Sequence, residues 1–226
     1  MNPKKSNQSL DANFLKMLSG MGDSKNIWVT EFDSDSTKRF YDQFTDLERD
    51  DEIVIIPIFI NSYGGEVYSL TAMRDLIKSS MKPVATIGIG MAMSCGASLL
   101  AAGTKGFRFA APDLSILVHE VSSGNFGKAS DIQESARVIK ELNRKMFDNL
   151  AHDCGKTRKQ LDMEIKRRNN ADWTLTAKMA KKWGMVDEIG IPRMTADRTE
   201  SVLGTMVPFD ELVKRGLADI PKKPRG

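Results

Sequence analysis

The sequence contains few cysteines, and this scarcity excludes several classes of protein. Only two occur among 226 residues, Cys95 and Cys154, and they lie far apart in the chain. Two distant cysteines cannot build the disulfide framework of a small secreted protein or a cysteine-rich metal site. Such usage is typical of a reducing compartment, so we expect a cytoplasmic protein.

Long apolar runs and an excess of one charge are also missing. No stretch approaches the roughly 20 apolar residues of a membrane span, and Met1–Gln8 lacks the apolar core of a secretory signal. The net charge of +3 results from 33 basic and 30 acidic residues, a near balance that gives no electrostatic reason to expect nucleic acid. The sequence therefore predicts a soluble protein that binds neither membranes nor nucleic acids.

The residues that are present alternate between strand and helix patterns. With 41% hydrophobic residues, the chain is long enough for one well-packed domain and too short for two large ones. Alternation of this kind predicts an α/β fold around a parallel sheet. The strand-like runs are Ile27–Thr30, Ile53–Ile60, Pro83–Gly90 and Leu114–Val118, and one intervening helical pattern is Val67, Leu70, Met73 and Ile77.

Several local features refine this pattern. Pro57 cannot donate to a strand ladder, so it predicts a sheet edge or a bulge. Further helices are predicted after Ser36, from Lys128 to Ala151, and around 209–214. A short N-terminal helix is marked by Leu10, Phe14, Leu15 and Leu18. The helix after Ser36 is marked by Phe40, Phe44 and Leu47. One apolar line on the long helix consists of Ile132, Ala136, Ile139, Leu142, Met146 and Leu150.

Ser94 is a candidate nucleophile because of the residues around it. It lies in the small-residue run Met91–Leu100, between a strand-like segment and a helix-favouring segment that ends near Gly103. This pattern places Ser94 at a helix N-terminus, where unpaired N–H groups and the helix dipole stabilise a developing negative charge. A serine at this position is also an ordinary helix cap, and the run alone leaves that interpretation open.

The sequence offers only two histidines as a general base, His119 and His152. His119 follows the strand-like Leu114–Val118, at a strand end where α/β enzymes place catalytic groups. His152 ends a long helical pattern, where it can simply complement the helix dipole. A metal site made of His152, Asp153 and Cys154 is disfavoured, because three adjacent residues at a helix end cannot all point at one ion. We favour His119 as the base and expect no metal.

A carboxylate that orients the histidine cannot be chosen by counting acidic residues. Asp172 follows a charged helical pattern and comes just before another helix that Thr176 is expected to cap, whereas Asp187 follows a turn and a short strand. Either residue could equally be a solvated turn aspartate. The residue pattern leaves both candidates open.

The motifs, taken in order, resemble those of the ClpP family, the serine peptidase subunits of the Clp protease, which includes ClpP-like proteins carried by bacteriophages. The resemblance runs from about Asn26 to Gly190. It rests on the segments Ile60–Gly65, Met93–Ala97, Ile116–His119, Gly124–Ile132 and Asp172–Asp187.

This resemblance implies an α/β fold of the ClpP and crotonase type, with repeated β-β-α units and a protruding handle helix. It implies that Ser94 is the nucleophile, His119 the base and Asp172 the orienting carboxylate. The backbone N–H groups of Gly65 and Cys95 would form the oxyanion hole. The implied activity is that of a serine endopeptidase, which cleaves unfolded polypeptides through an acyl-enzyme and needs no cofactor.

Domain organisation and partners also follow from the resemblance. Residues 1–25 would be an N-terminal segment, 26–192 the peptidase domain with its handle at 121–152, and 193–226 a C-terminal extension. The family implies a homo-oligomer of stacked heptameric rings around peptide or unfolded polypeptide substrates, and it allows a Clp-type ATPase as a partner.

Two departures from the family lie next to the candidate site. Tyr63 replaces a proline before the glycines, and Glu120-Val121 replaces Gln-Pro after the histidine. Specificity is therefore left open. The alternatives are a catalytically inactive ClpP-like structural or regulatory subunit, and a crotonase-type acyl-CoA enzyme, which would not need Ser94 and His119. The presence of all three residue types of a triad favours the peptidase.

Overall fold

The computed structural model describes residues 26–51, 53–121, 128–168, 172–195 and 198–201. None of the helices in these residues combines the length and the apolar character that crossing a membrane requires. The helices are α1 (Ser34–Arg49), α2 (Val67–Ser79), α3 (Cys95–Ala101), α4 (Ala129–Asp153), α5 (Arg158–Lys166) and α6 (Ala177–Trp183). The strands are β1 (Ile27–Val29), β2 (Ile56–Ser62), β3 (Val84–Met93), β4 (Arg108–Ala110), β5 (Ser115–Val118), β6 (Trp173–Thr176), β7 (Glu188–Ile189), β8 (Pro192–Thr195) and β9 (Arg198–Ser201).

Seven of these strands form one sheet, in which the parallel strands run in the order β1-β2-β3-β4-β7. Strand β5 pairs in parallel with β3, and β6 pairs in antiparallel with β5. Strands β8 and β9 form a separate antiparallel hairpin. The predicted α/β fold with a parallel sheet is confirmed.

Strand β3 changes partner along its length. Its first half pairs with β4 and its second half with β5. Between the two halves, the register against β2 shifts at Ile60 and Ser62. Gly90 adopts a left-handed backbone with φ 65°, and the side-chain Oδ1 of Asn61 accepts a hydrogen bond from the Met91 N–H at 3.3 Å. This irregularity lets the end of β3 leave β4 and join β5.

The predicted edge or bulge at Pro57 is wrong. Pro57 lies inside β2, which has β3 on one side and β1 on the other. The Ile56 N–H donates toward β3, to the Pro83 carbonyl at 2.9 Å, so the missing N–H of the next residue falls on the β1 side. Pairing with β1 begins only at Ile58, so Pro57 removes no ladder hydrogen bond.

The predicted start of helix α1 after Ser36 is also wrong, because the helix begins at Ser34 and is capped by Asp33. The Asp33 carboxylate accepts a hydrogen bond from the Ser36 N–H at 2.7 Å, and the Ser36 hydroxyl accepts one from the Asp33 N–H at 2.9 Å. The bond from the Ser36 backbone holds the pKa of the Asp33 carboxyl below its usual value. Ser36 is therefore the third residue of the helix and half of a capping box.

Apolar side chains cover both faces of the sheet. Helix α1 contributes Phe40 and Phe44 to the main core, and every residue of α3 is buried. The opposite face carries a smaller cluster in which the Trp28 ring stacks on Phe59 with centroids 5.0 Å apart. The buried members of this smaller cluster are Phe59, Ala85, Ile87, Phe107 and Phe109.

Helix α4 confirms the predicted long helix, but only its C-terminal end is buried. Met146 and Leu150 of the predicted apolar line lie in the core, whereas none of residues 130–145 is buried and Ile132 is 45% exposed. At the buried end, Arg74 donates two hydrogen bonds to the Asp153 carboxylate, at 2.9 and 3.0 Å. The helix is therefore anchored at its last turns and protrudes over the rest of its length, as a handle helix should.

Some predictions fall on residues outside the described part of the chain. These are the short helix marked by Leu10, Phe14, Leu15 and Leu18, the glycine-rich Gly124–Gly127, and the helix around Phe209–Lys214.

Candidate active site

Ser94 occupies the turn between β3 and α3. Its backbone has φ 55° and ψ −116°, and it is the one non-glycine residue with a positive φ in the described ranges. This conformation costs about 1–3 kcal/mol for a residue with a Cβ. The Ser94 N–H donates to the Leu117 carbonyl at 2.7 Å, which ties the turn to β5. A strained strand-to-helix turn is also the setting that presents the nucleophilic serine of α/β-hydrolases.

The hydroxyl of Ser94 does not cap helix α3. Ser94 lies at the N-cap position, yet its side chain accepts no hydrogen bond from the first turn. The ordinary-cap interpretation therefore does not describe this serine. The residue is only partly buried.

The register of β3 and β5 brings His119 to the same edge of the sheet. The strands run in parallel, with Met93 opposite Leu117. Ser94 is the next residue beyond the paired end of β3, and His119 lies two residues beyond Leu117. Ser94 and His119 therefore follow the ends of two neighbouring strands, which lie about 4.8 Å apart.

Asp172 reaches this edge from the other side of β5. Strand β6 runs antiparallel to β5, with Val118 opposite Trp173. One step further outward, His119 stands opposite Asp172. The carboxyl ends of β3 and β5 and the amino end of β6 therefore lie side by side. One of the predicted site residues adjoins each of these three ends.

Hydrogen bonds do not join these residues in the structure. Among the described residues, none links Ser94, His119 and Asp172 to one another; Ser94 and His119 are partly buried and Asp172 is exposed. Catalytic hydrogen bonds are often long in an unliganded site and tighten with substrate. The arrangement places a serine, a histidine and a carboxylate on three adjacent strand ends, the residue types that acyl transfer requires.

Two glycines that follow β2 pack against the serine turn. Gly64 has φ 102°, and a Cβ on it would lie 2.7 Å from the Ser94 Cβ. Gly65 has φ 153°, and a Cβ on it would collide with the Phe32 carbonyl. Both positions therefore require glycine. No hydrogen bond among the described residues uses the N–H of Gly65 or of Cys95, which leaves two backbone donors near the nucleophile.

The side chain of Cys95 is buried beneath this turn. Its relative exposure is 0%, and its Sγ donates to the Gly65 carbonyl at 3.2 Å. Burial raises the pKa of the thiol and outweighs the opposing effects of the Gly65 backbone and the Ser94 side chain. The thiol therefore keeps its proton at neutral pH.

Asp187, the competing carboxylate, lies at the opposite end of the sheet. It stands where β7 begins, beside the start of β4. Its carboxylate accepts from the N–H groups of Gly106 and Arg108 at 2.7 and 3.1 Å, and from the Arg108 guanidinium at 2.8 and 2.6 Å. The interpretation of Asp187 as a solvated turn aspartate is therefore wrong, and this residue is remote from Ser94.

Sequence reasoning missed Arg108. This arginine is 3% exposed within a buried strand, and its guanidinium also donates to the Asp153 carbonyl at 2.7 Å. The available signal was a charged residue within the otherwise apolar segment Phe107–Ala110. Such a residue predicts a buried arginine with an acidic partner, because buried arginines are almost always paired. Its partner could not be read from the sequence, since Asp187 lies far along the chain.

His152 lies at the end of α4, away from the candidate site. Its side chain is 83% exposed, and its Nδ1 is 3.4 Å from the Asp153 carboxylate. Within the described ranges, no group of three or more His, Cys, Asp or Glu side chains is placed to hold a metal ion.

The parallel sheet, the protruding helix and the serine turn at the carboxyl edge define an α/β protein of the ClpP-like class. The model of the Clp protease family matches residues 11–193, which is most of the chain. The chain therefore belongs to the Clp protease family, and the resemblance noted in the sequence is confirmed. Membership supports a ClpP-like peptidase in general terms.

Proposed function

We propose that this chain is a serine endopeptidase that cleaves unfolded polypeptides with Ser94, His119 and Asp172. The observation that carries the proposal is the register of β3, β5 and β6, whose adjacent ends hold these residues. The strained backbone of Ser94 and its hydroxyl, which does not cap helix α3, give further support.

Acylation begins when the Ser94 Oγ attacks the carbonyl carbon of a peptide bond. His119 takes the hydroxyl proton, and Asp172 orients the ring and stabilises the imidazolium. The N–H groups of Gly65 and Cys95 donate to the oxyanion of the tetrahedral intermediate. The C–N bond then breaks, His119 gives its proton to the leaving amine, and an ester remains on Ser94.

Deacylation repeats these steps with water. His119 removes a proton from a water molecule as its oxygen attacks the ester carbonyl. The second tetrahedral intermediate collapses, the Ser94 oxygen leaves and regains a proton from His119, and the new carboxyl terminus is released. The residues return to their starting protonation states, so the cycle needs no metal or organic cofactor.

We further propose that the chain works as a homo-oligomer of stacked heptameric rings in the cytoplasm. Ile132 and Val138 are 45% and 36% exposed on the protruding helix α4, and such apolar exposure supports burial against other copies. Enclosure in a ring would restrict a broad peptidase to unfolded chains, and a Clp-type ATPase would be a suitable partner to deliver them. Both cysteines are free thiols, in keeping with a reducing compartment.

Degradation of a fluorescein-labelled, permanently unfolded polypeptide tests the proposed chemistry. We expect wild-type protein to release labelled peptides and Ser94→Ala to lose about 1,000-fold or more of the rate. Ser98→Ala is the matched control, since Ser98 is buried one turn further along α3 and should keep the wild-type rate within about twofold.

Two results would contradict the proposal. Folded wild-type protein that releases no peptides would favour the inactive structural or regulatory subunit. Activity that survives in Ser94→Ala would favour acyl chemistry of the crotonase type, which relies on backbone amides and carboxylates.

A further inference from the structure

The thiol of Cys95 connects the two segments that carry the free backbone donors. Its Sγ donates to the Gly65 carbonyl at 3.2 Å. The N–H of Cys95 is one of the two donors near Ser94, and the N–H of Gly65 is the other. A single residue thus supplies one donor and holds the residue that supplies the second.

The backbone conformation of Gly65 has to be restrained by contacts with other residues, because glycine lacks the Cβ that restricts the backbone elsewhere. The peptide group between Gly65 and Glu66 is planar and is joined at the Gly65 Cα to the group that carries the Gly65 N–H, so fixing both of its polar atoms fixes one of the two sides of Gly65. Its N–H, on Glu66, donates to the Phe32 carbonyl at 2.8 Å. Its carbonyl accepts from the Cys95 thiol. Loss of the thiol would leave only one of these two restraints.

The surroundings of Cys95 suit it to donate. The side chain is fully buried, and burial raises the pKa of the thiol, so the proton stays on the sulfur. The S–H group is a weak donor, which makes the geometry of this bond more important than its strength. Because Cys95 is the first residue of the buried helix α3, its Cα position is rigid relative to Ser94.

We infer that the Cys95 thiol positions the oxyanion hole by holding the Gly65 carbonyl, and with it the Gly65 Cα next to the N–H donor. This inference rests on the proposed function. Cys95 is a positioning residue, since its side chain acts through the Gly65 backbone and does not touch the reacting atoms. An oxyanion exists only after attack, so loss of the thiol should lower kcat and leave KM nearly unchanged.

Kinetics of the full-length protein on the labelled unfolded polypeptide test this role. Cys95→Val removes the donor and replaces the sulfur by a methyl group, with one further methyl added, and Cys95→Ser restores a donor. Complete removal of an oxyanion-hole donor typically costs 10²–10³-fold in kcat, so we expect about a tenfold loss from a displaced one. We predict that Cys95→Val loses about tenfold in kcat with KM within about twofold, and that Cys95→Ser stays within about threefold of wild type.

Cys154→Val is the matched control, because Cys154 is also buried but lies at the C-terminal end of α4. Its kcat should equal that of wild type. Circular dichroism and thermal melting establish that each variant folds, and Cys95→Ala replaces Cys95→Val if the valine is not accommodated.

Three outcomes would overturn the inference while leaving the peptidase assignment intact. They are an unchanged kcat in Cys95→Val, equal losses in the valine and serine variants, and an effect confined to KM. A folded wild-type protein without activity would instead contradict the proposed function, and this inference with it. The wild-type measurement therefore separates the two failures.

Discussion

Two aspartates at opposite ends of one sheet differ in how completely they are bonded. Asp187, at the amino-terminal end of the parallel strands, accepts from two backbone N–H groups and from the Arg108 guanidinium. Asp172, at the carboxyl end of β5, is exposed and takes part in no ion pair among the described residues. The bonded aspartate therefore stabilises the fold, whereas the side chain of Asp172 is not committed to it among the described residues.

The same contrast extends to the neighbours of each aspartate. At the amino-terminal end, Asp153 is paired with Arg74 and with Lys78 at 2.9 and 3.0 Å. At the carboxyl end, Ser94 has a strained backbone and a hydroxyl that caps nothing. Strain and unused hydrogen-bonding groups are concentrated at functional sites, because function requires groups that the fold has not satisfied.

The largest effect on activity is expected from Asp172→Asn. In the proposed mechanism this carboxylate orients His119 and stabilises its charged form, so we predict that its loss lowers kcat by about 10⁴-fold. Because Asp172 is exposed, the melting temperature should stay within about 2 °C of wild type. Peptide release from the unfolded polypeptide and thermal melting give the two values. Full activity in Asp172→Asn would contradict the proposed role of this aspartate.

Asp187→Asn should show the opposite behaviour. The substitution leaves Arg108 buried without its counter-charge, and we predict that the free energy of unfolding falls by about 3 kcal/mol. Activity per folded molecule should remain within about threefold of wild type, since the site is remote. Urea unfolding at fixed protein concentration measures the first quantity.

Glu188→Gln is the control for this prediction. Glu188 forms an exposed ion pair with Lys181 at 2.7 Å, next to Asp187 in sequence. Its loss should cost less than about 0.5 kcal/mol. Equal costs for Asp187→Asn and Glu188→Gln would show that burial of the Arg108 pair does not stabilise the fold.

A smaller effect separates Ser94→Gly from Ser94→Ala. Both variants lose the nucleophile, but only glycine adopts φ 55° without a steric penalty. We predict that Ser94→Gly is more stable than Ser94→Ala by about 1 kcal/mol, as measured by urea unfolding. If alanine were the more stable, the backbone of Ser94 would not be strained, and the contrast between the two ends would weaken.

The sequence was sufficient to select the candidate residues because they lie at the ends of recognisable strands. Small residues after one strand located Ser94, and the end of another located His119. The choice between Asp172 and Asp187 could not be made from spacing. It depends on the antiparallel pairing of β5 with β6 and on the burial of Arg108, and both bring together residues distant in the chain.

Local mistakes in the fold have similar causes. Pro57 was interpreted as an edge or a bulge, but the donor it lacks falls where β1 has not yet begun to pair. The sequence pattern predicts that α1 begins after Ser36, whereas Asp33 is the N-cap and Ser36 completes the capping box. The bond from Cys95 to Gly65 was invisible in the sequence, because it joins two separate turns.

Reaction of the native full-length chain with a fluorophosphonate, followed by intact-mass measurement and peptide mapping, tests the central claim most directly. We predict one adduct per chain, on Ser94, that is absent from Ser94→Ala and His119→Ala and retained in the control His152→Ala. An adduct on another serine, or a folded wild-type protein that forms none, would contradict the assignment of Ser94 and His119 as nucleophile and base.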